Sequence, residues 1–341
     1  MKLFFVFLFA QLICHSQTKL TLAFGSCGHQ DTDLPILFEV AKLQPNYFVF
    51  LGDNIYGDSK RKSVMKKKYE QLGAIPSFQL LKTNTSVLAT WDDHDFGKND
   101  AGKEFTKKKQ NKKIFLDFFK EPLTSDRWVH DGIYTSYNIE LEGAKVQVIL
   151  LDTRTFRDQL VRTNRKSRGT DNPEYELTYA PHKDSSKTIL GTQQWAWLKG
   201  VFSQAADYRI IASSTQFGIE YNGYESWANF PAEQNRMLQL IKETQAGGVI
   251  FISGDVHYGE FSELKNKESY PIFDFTSSGL TQEWSFATPN KNRIAGPMMQ
   301  NNFGLIEINA LEKTIEVQLR DKTGSIVAEK LLHLDALQNK P

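Results

Sequence analysis

Residues 86–100 read SVLATWDDHDFGKND, so a short apolar run passes directly into a cluster of acidic side chains around His94. The apolar run, SVLAT, predicts a buried β-strand, and the charged residues begin where that strand would end. Three other segments repeat this arrangement after a predicted strand: FGSCGH at 24–29, GDNIYGD at 52–58 and SGDVHYGE at 253–260. Open α/β sheets place their active sites at the carboxyl ends of their strands, so we expect these four segments to meet.

The remaining sequence predicts an alternation of strands and helices that later becomes purely β. The predicted strands before residue 255 are 19–24, 47–51, 86–90, 146–151, 209–212 and 249–252, and the predicted helices are 33–43, 62–82, 105–119, 192–204 and 231–245. The predicted strands after residue 255 are 258–264, 271–277, 303–309, 313–320 and 325–332. This order favours an α/β (α+β) fold in which two central sheets are covered by helices on their outer faces. No repeat and no Pro/Gly/Ser-rich linker interrupts the chain, which favours one domain over residues 17–341.

Composition narrows the class of protein. The chain has 341 residues with 41 Lys and Arg against 40 Asp and Glu, and this balance excludes a generally basic nucleic-acid-binding coat. A hydrophobic content of 40% and a charged content of 24% are typical of a folded globular protein. Two cysteines cannot form a disulfide framework. No internal run reaches the ~18 apolar residues of a membrane-spanning helix.

The first residues predict a targeting segment. Met1-Lys2 is followed by an apolar run from Leu3 to Ile13, which is too short to cross a bilayer but has the length of a signal-peptide core. We therefore expect residues 1–16 to be a signal peptide, removed before Gln17, and the protein to be exported to the periplasm or secreted. The mature chain would then keep one thiol, Cys27, and metal ligation is a good reason for a lone thiol in an exported protein.

The four strand-end segments together supply metal-ligating side chains. Carboxylates gathered without matching Lys or Arg repel one another unless a cation neutralises them, so a metal cluster is the simplest explanation. Carboxylate and phenolate oxygens favour hard cations, whereas thiolate and imidazole suit iron or zinc. The candidate residues are Cys27, Asp53, Tyr56, Asp92, Asp93, His94, Asp95, Asn99, Asp255 and His257.

These segments resemble the motifs of the PhoD-like alkaline phosphatases, within the calcineurin-like metallophosphoesterase superfamily. Further matching segments follow in order: LDTR at 151–154, LGTQQWAWL at 190–198, Ser213-Ser214, and FPAEQNRML at 230–238. The resemblance implies a four-layer αββα sandwich with two mixed sheets flanked by helices. It also implies a phosphoester hydrolase, a phosphomonoesterase or phosphodiesterase that uses a metal-activated hydroxide.

The sequence departs from the commoner superfamily motifs DxH, GDxxD, GNHD/E and GHxH. Cys27 stands near the DxH position, Tyr56 replaces the second aspartate of GDxxD, and Asp93 replaces the asparagine before the histidine. Asp255 replaces the first histidine of GHxH, while His257 keeps the second. The PhoD-like branch shares these departures, and the resemblance to it implies Fe³⁺ and Ca²⁺ rather than Zn, Mn or Mg.

The resemblance also implies which residues bind which metal ion. Asp53 is expected to bridge two ions, and Cys27 and Tyr56 are the first-choice iron ligands. Asp255 or His257 would complete the iron side, and we include both among the metal-binding residues.

On the calcium side the resemblance implies Asp93 and Asn99. His94 occupies the position at which the superfamily keeps a histidine beside the leaving group, and neighbouring carboxylates favour its imidazolium form. Arg154, in LDTR, is expected either to clamp phosphate or to tie down the long loop that follows it.

Other acidic and aromatic neighbours have weaker expected roles. One of Asp92 and Asp95 is expected to orient a ligand rather than bind metal. His29 could approach the site through the FGSCGH loop. The segment 154–188 shows little periodicity, which is typical of a functional or disordered loop.

Two lysine-rich stretches follow the acidic segments, at 60–68 and 103–113. Most of these side chains are expected to be solvated, but a basic rim would draw anionic substrates toward the site. We expect a small-molecule or lipid phosphoester substrate, no stable nucleic-acid partner and no transmembrane segment. Two alternatives stay open: a phospholipase-like phosphodiesterase, and an exported phosphate-ligand binding protein without turnover.

Overall fold

The computed structural model describes residues 17–163, 177–266 and 269–339. The strands within these ranges are β1 Lys19–Gly25, β2 Tyr47–Phe50, β3 Ser86–Ala89, β4 Thr135–Leu141, β5 Ala144–Leu150, β6 Val161–Arg162, β7 Tyr179–Ala180, β8 Tyr208–Ser213, β9 Val249–Ser253, β10 Gly259–Leu264, β11 Ile272–Ser277, β12 Arg293–Met298, β13 Asn302–Asn309, β14 Thr314–Asp321 and β15 Ile326–His333. The helices are α1 Ile36–Leu43, α2 Lys62–Ala74, α3 Pro76–Asn84, α4 Asp93–Phe96, α5 Lys108–Phe118, α6 Gly191–Phe202 and α7 Pro231–Glu243.

The strands form two large mixed sheets and one small pair. The first sheet has the order β15-β14-β13-β1-β2-β3, with β1, β2 and β3 parallel. The second has the order β12-β10-β11-β9-β8-β5-β4, with β5, β8, β9 and β11 parallel. Strands β6 and β7 pair separately.

The side-chain alternation of β1 shows how the layers are arranged. Leu22 and Phe24 lie in the apolar cluster shared by the two sheets, together with α6 and α7. Ala23 points the other way, into the cluster that the first sheet forms with α1, α2, α3 and α5. The layers therefore run helix, sheet, sheet, helix, and the predicted fold is confirmed.

Several boundaries differ from those predicted from the sequence. The helix predicted over 62–82 is two helices, because Pro76 has no N–H to continue α2 and the preceding Ile75 adopts extended backbone with φ −66° and ψ 124°. Strand β12 was not predicted, since Gly296 and Pro297 are unfavourable in strands and are tolerated here at a sheet edge. Strand β4, at the other edge, was also missed, and the four-residue helix α4 is too short for any periodicity to show.

Two further expectations from the sequence concern segments that lie wholly or partly outside the described residues. The expected signal peptide, residues 1–16, lies outside the described residues. The segment 154–188 is described except for 164–176, and its described part contains the β6–β7 pair rather than only loop. No helix in the described ranges is long and apolar enough to cross a membrane.

Both sheets direct the carboxyl ends of their parallel strands toward one region. Cys27 follows β1, Asp53 follows β2, and Asp93 follows β3 in the first sheet. Asp255 follows β9 in the second sheet, and Ser278 follows β11. The topology thus brings together the four strand-end segments that were expected to meet.

Candidate metal centre

The candidate ligands form three overlapping groups whose donor atoms lie within 4.8 Å of one another in each group. The groups are Cys27, Asp53 and His257; Asp53, Asp93 and His94; and Asp92, Asp93 and Asp255. Asp53 belongs to the first two groups and Asp93 to the last two. The donors therefore form one continuous centre, and Asp53 is shared by the two groups that contain Cys27 and His94.

One side of the centre carries thiol, phenol and imidazole donors. The Cys27 Sγ lies 3.6 Å from Asp53 Oδ2 and 3.2 Å from Ser278 Oγ. The Tyr56 hydroxyl lies 3.4 Å from His257 Nε2, so the structure brings all three predicted donors of this side together. Burial lowers the pKa of His257 to about 4, which leaves its imidazole neutral, the form that binds metal.

The backbone at the centre is held in a strained conformation. Four of the candidate ligands have left-handed φ angles: Cys27 at 60°, Asp53 at 49°, Asp255 at 78° and His257 at 53°. Such conformations cost free energy in residues other than glycine and cluster at functional sites. Gly52, at φ 112°, is required for close approach, because a Cβ there would lie 2.5 Å from the Cβ of Asp92.

Burial and mutual repulsion set the protonation of the carboxyl and thiol groups. Burial raises the pKa of Asp53 well above its ordinary value, and the neighbouring Asp93 raises it further. Burial raises the pKa of Asp92 to about 7 and that of the Cys27 thiol to about 12. The Oδ2 atom of Asp92 is buried without a hydrogen-bond partner among the described residues. Cations would satisfy these donors and ionise them, so the donor set fits a metal centre.

His94 is held at the edge of the centre by an aspartate that the sequence reasoning missed. Its Nδ1 lies 2.6 Å from Asp58 Oδ2, and the backbone N–H of Asn99 donates to Asp58 Oδ1 at 3.0 Å. Burial lowers the pKa of His94, but the hydrogen bond with Asp58 and the nearby carboxylates raise it by more, to about 9. Asp58 ends the GDNIYGD segment, but only the fold shows that it reaches His94.

Of the two roles expected for Arg154, the structure does not support the phosphate clamp, because Arg154 is not among the residues that line the cavity described below. Its side chain is fully buried, it donates to Asp92, and its Nη1 lies 2.8 and 2.9 Å from the two carboxylate oxygens of Glu225. A guanidinium paired in this way cannot reach substrate, so Arg154 instead fixes Asp92 from behind. Arg157 also pairs with Glu225, at 3.2 Å. Glu225 could not be predicted from the sequence, because it lies in a segment without periodicity.

The remaining expectations for this region concern orientation. Asp95 accepts from the backbone N–H of Asp92 at 2.6 Å and from the Asn54 amide, so it holds the loop in place. The ring of His29 stacks on Tyr56 with centroids 4.8 Å apart, which places His29 beside the centre as expected.

A cavity of about 280 Å³ opens above these groups. Asp53, Asp93, His94, Asp255 and His257 line it on the side of the metal centre. The other lining residues come from surrounding loops and from β7: Asn99, Asp100, Thr178, Tyr179, Tyr224, Glu225 and Trp284. Asn99 therefore faces the same space as His94, and a small anion in this cavity would contact the candidate ligands and His94 together.

Known proteins resemble the chain in both sequence and fold. Residues 22–323 match the sequence model of the family described as PhoD-like phosphatase. Alkaline phosphatase D of Bacillus subtilis (strain 168) is 23% identical over 306 residues, a match that covers 77% of this chain and 51% of that protein. The chain therefore spans about half the length of that curated relative.

Two solved structures show the shared fold. The structure of PhoD superposes with a TM-score of 0.74 at 17% identity, covering 95% of this chain and 72% of that one. A dimetal phosphatase from Danio rerio superposes with a TM-score of 0.58 at 14% identity, covering 92% and 99%. Together with the strand-end donors described above, the family match over residues 22–323 shows that this chain belongs to the PhoD-like phosphatase family.

Proposed function

We propose that this protein is a metal-dependent phosphoester hydrolase with iron and calcium at its centre. The observation that carries the proposal is the meeting of two donor chemistries around Asp53, with His94 at the edge of the same cavity. Buried carboxylates in this number are unfavourable without cations, and a cavity of about 280 Å³ above them suits a phosphoryl group. The family match supports the phosphoester hydrolase part of the proposal.

The two sides of the centre carry different donors, so each side would bind a different metal ion. Cys27 and Tyr56 would bind the iron with Asp53, and His257, which groups with Cys27 and Asp53, would complete that side. Asp255 was expected as an alternative on this side, but its carboxylate groups with Asp92 and Asp93. On the other side, Asp93 and Asn99 supply the oxygen ligands that calcium prefers. When bound, the ions would activate water and neutralise the charge that develops on the phosphoryl group.

The protein side chains would control the leaving group. The hydrogen bond with Asp58 raises the pKa of His94 to about 9 and so favours its imidazolium, which can donate a proton to the departing oxygen. Arg154 would keep Asp92 oriented beneath the cavity, and its positive charge opposes the rise that burial causes in the pKa of that carboxyl. Asp58 and Arg154 are positioning residues in this scheme, since each acts through another side chain.

The proposal is tested by elemental analysis of freshly purified protein alongside a phosphoester panel. The panel would pair monoesters and diesters, each with a p-nitrophenol and an alkyl alcohol leaving group. Chelation should abolish hydrolysis, and iron with calcium should restore it. Full activity after verified metal removal would refute the proposal. Bound metal without turnover of any ester would favour the non-catalytic binding protein.

We also propose export, on the sequence of residues 1–16 alone. Protein recovered from its native host should begin at or near Gln17 and lie outside the cytoplasm. N-terminal sequencing that finds Met1 on the cytosolic protein would contradict export while leaving the proposed hydrolysis untouched.

A further inference from the structure

A strongly basic face lies beside the cavity and takes no part in the proposed reaction. We call it the lysine face and define it by the cations of two segments, one around α2 and one around α5. Its residues are Lys60, Arg61, Lys62, Lys66, Lys67, Lys68, Lys103, Lys107, Lys108, Lys109, Lys112 and Lys113. The two segments lie side by side: the Gln110 side-chain amide donates to the Lys60 carbonyl oxygen at 3.2 Å, and Tyr69 packs on Phe118 with ring centroids 4.7 Å apart.

The lysine face makes the charge of the molecule uneven. It holds twelve of the 41 Lys and Arg, while its segments contain only Glu70, Glu104 and Asp117 as acids. The rest of the chain is therefore net negative, although the whole chain has a charge of only +1. A concentrated patch of this kind attracts anionic partners over distances near the Debye length.

Four of the twelve cations form ion pairs: Lys68 with Asp31, Lys103 with Asp158, Lys109 with Asp131 and Lys113 with Asp117. Others have no such partner. Lys62, Lys66, Lys67 and Lys107 are exposed and have no ion pair among the described residues. Neither α2 nor α5 has an acidic residue in its first turn, where acidic side chains would stabilise the helix. Cations at that end oppose the helix dipole, so they lower helix stability rather than raise it.

Exposed apolar side chains lie next to the lysine face. Leu123 and Val129 are 88% and 87% exposed, more than any other large apolar residue in the described ranges. Their segment is fastened to α5, because Lys112 donates to the His130 carbonyl oxygen and the Lys113 ammonium lies 5.3 Å from the Trp128 ring centroid. Cations, a tryptophan and exposed aliphatic side chains on one surface are the combination that binds the headgroup region of a bilayer.

We propose that the lysine face, with Leu123 and Val129, docks the protein on an anionic lipid surface. The cations would contact lipid phosphates, and the two apolar side chains would enter the acyl boundary. A soluble anionic polymer would use the cations but would leave the two apolar side chains in water, so their exposure favours the lipid surface.

The lysine face follows the cavity residues closely along the chain, so docking would affect where the cavity lies relative to the membrane. Helix α2 begins four residues after Asp58, the partner of His94, and α5 begins eight residues after Asp100, which lines the cavity. Docking would therefore hold the cavity close to phosphoesters at the membrane surface. This consequence rests on the proposed hydrolase function, whereas the docking itself does not.

The test is cosedimentation of the full chain with lipid vesicles, which requires no turnover. One set contains phosphatidylcholine alone and the other equal parts of phosphatidylcholine and phosphatidylglycerol. The protein should bind only the anionic set, and binding should weaken as salt is raised. The variant Lys62→Gln/Lys66→Gln/Lys67→Gln/Lys107→Gln should lose on the order of 1,000-fold in affinity.

The matched control removes the same charge elsewhere, as Lys183→Gln/Lys199→Gln/Lys265→Gln/Lys322→Gln, on exposed lysines of other surfaces. It should keep nearly full binding. Leu123→Ser/Val129→Ser should weaken vesicle binding while leaving retention on polyphosphate unchanged. Equal loss in both lysine variants, no binding to anionic vesicles at low salt, or no effect of the apolar pair would each overturn the proposal. Hydrolysis of a soluble ester should be equal in all variants, which separates failure of docking from failure of the proposed function.

Discussion

The two sides of the metal centre present different chemistry to the carboxylate they share, Asp53. The mixed-donor side offers Cys27, Tyr56 and His257, and within the described residues no Lys or Arg pairs with any of them. The carboxylate side is backed by a cation, since Arg154 donates to Asp92.

Because of this difference, the donors of the two sides have different protonation states before a metal ion binds. Burial opposes ionisation of Asp93, but the positive charges of Arg154 and His94 lower its pKa below the ordinary value. Burial raises the pKa of Cys27 to about 12 and raises that of Tyr56 as well. Asp93 is therefore an anion before any metal binds, whereas the thiol and the phenol must lose protons as the metal arrives.

The largest effect is expected where the two sides join. Asp53→Ala should remove both metals and abolish hydrolysis, because each side loses the donor it shares with the other. Elemental analysis and ester hydrolysis measure the two results. Asp184→Ala, on an exposed loop, is the control and should change neither. If Asp53→Ala kept one metal at full occupancy, the two sides would be independent sites.

The next effect separates binding from proton donation. His94→Ala should keep both metals but lose roughly 10²–10⁴ in rate on esters with alkyl alcohol leaving groups, the usual contribution of a general acid. The loss should be much smaller with p-nitrophenol, which leaves without protonation. A loss of metal would show that His94 serves as a ligand, and an equal loss on both leaving groups would show that it is not the proton donor.

A smaller effect tests the mixed-donor side alone. Tyr56→Phe keeps the ring that stacks on His29 but removes the phenol oxygen. If Tyr56 binds ferric iron, the visible charge-transfer band of the variant should shift or fade, its iron should bind more weakly than in the wild type, and its activity should fall without loss of the fold. An iron-containing variant with an unchanged spectrum, metal content and rate would leave Tyr56 as a packing residue and Cys27 as the distinctive iron donor.

The sequence predicted the centre because its donors follow strands. An apolar run comes shortly before each of Cys27, Asp53, Asp93 and Asp255. Parallel strands bring their carboxyl ends to one edge of a sheet, and this does not depend on the conformation of the loops. The layer order followed from the same strands and the helices between them.

The partners that orient the site could not be predicted in this way. Glu225 lies in an irregular segment, and its pairing with Arg154 joins residues 71 positions apart. Arg154 itself was interpreted from its type and motif, but a guanidinium suits buried carboxylates as well as phosphate. Arg154 pairs with carboxylates and not with phosphate because its side chain is buried. Local sequence patterns do not predict whether an irregular loop is buried.

The smallest expected effect concerns one of these unpredicted partners. Asp58 raises the pKa of His94, by a 2.6 Å hydrogen bond and by its charge, toward a value of about 9. Because the imidazolium is the proton donor, activity on alkyl esters should fall as pH rises through the pKa of His94. Asp58→Asn removes the charge but keeps a hydrogen-bonding group, so the pKa of His94 should drop and the alkaline limb should move to lower pH by roughly one unit. The pH profile of kcat measures this, with the p-nitrophenol ester as the control whose limb should stay in place. Metal content should not change, since Asp58 belongs to none of the groups that could hold an ion. An alkaline limb at the same pH in both proteins would mean that another group sets it, and Asp58 would then only anchor the loop through the Asn99 backbone.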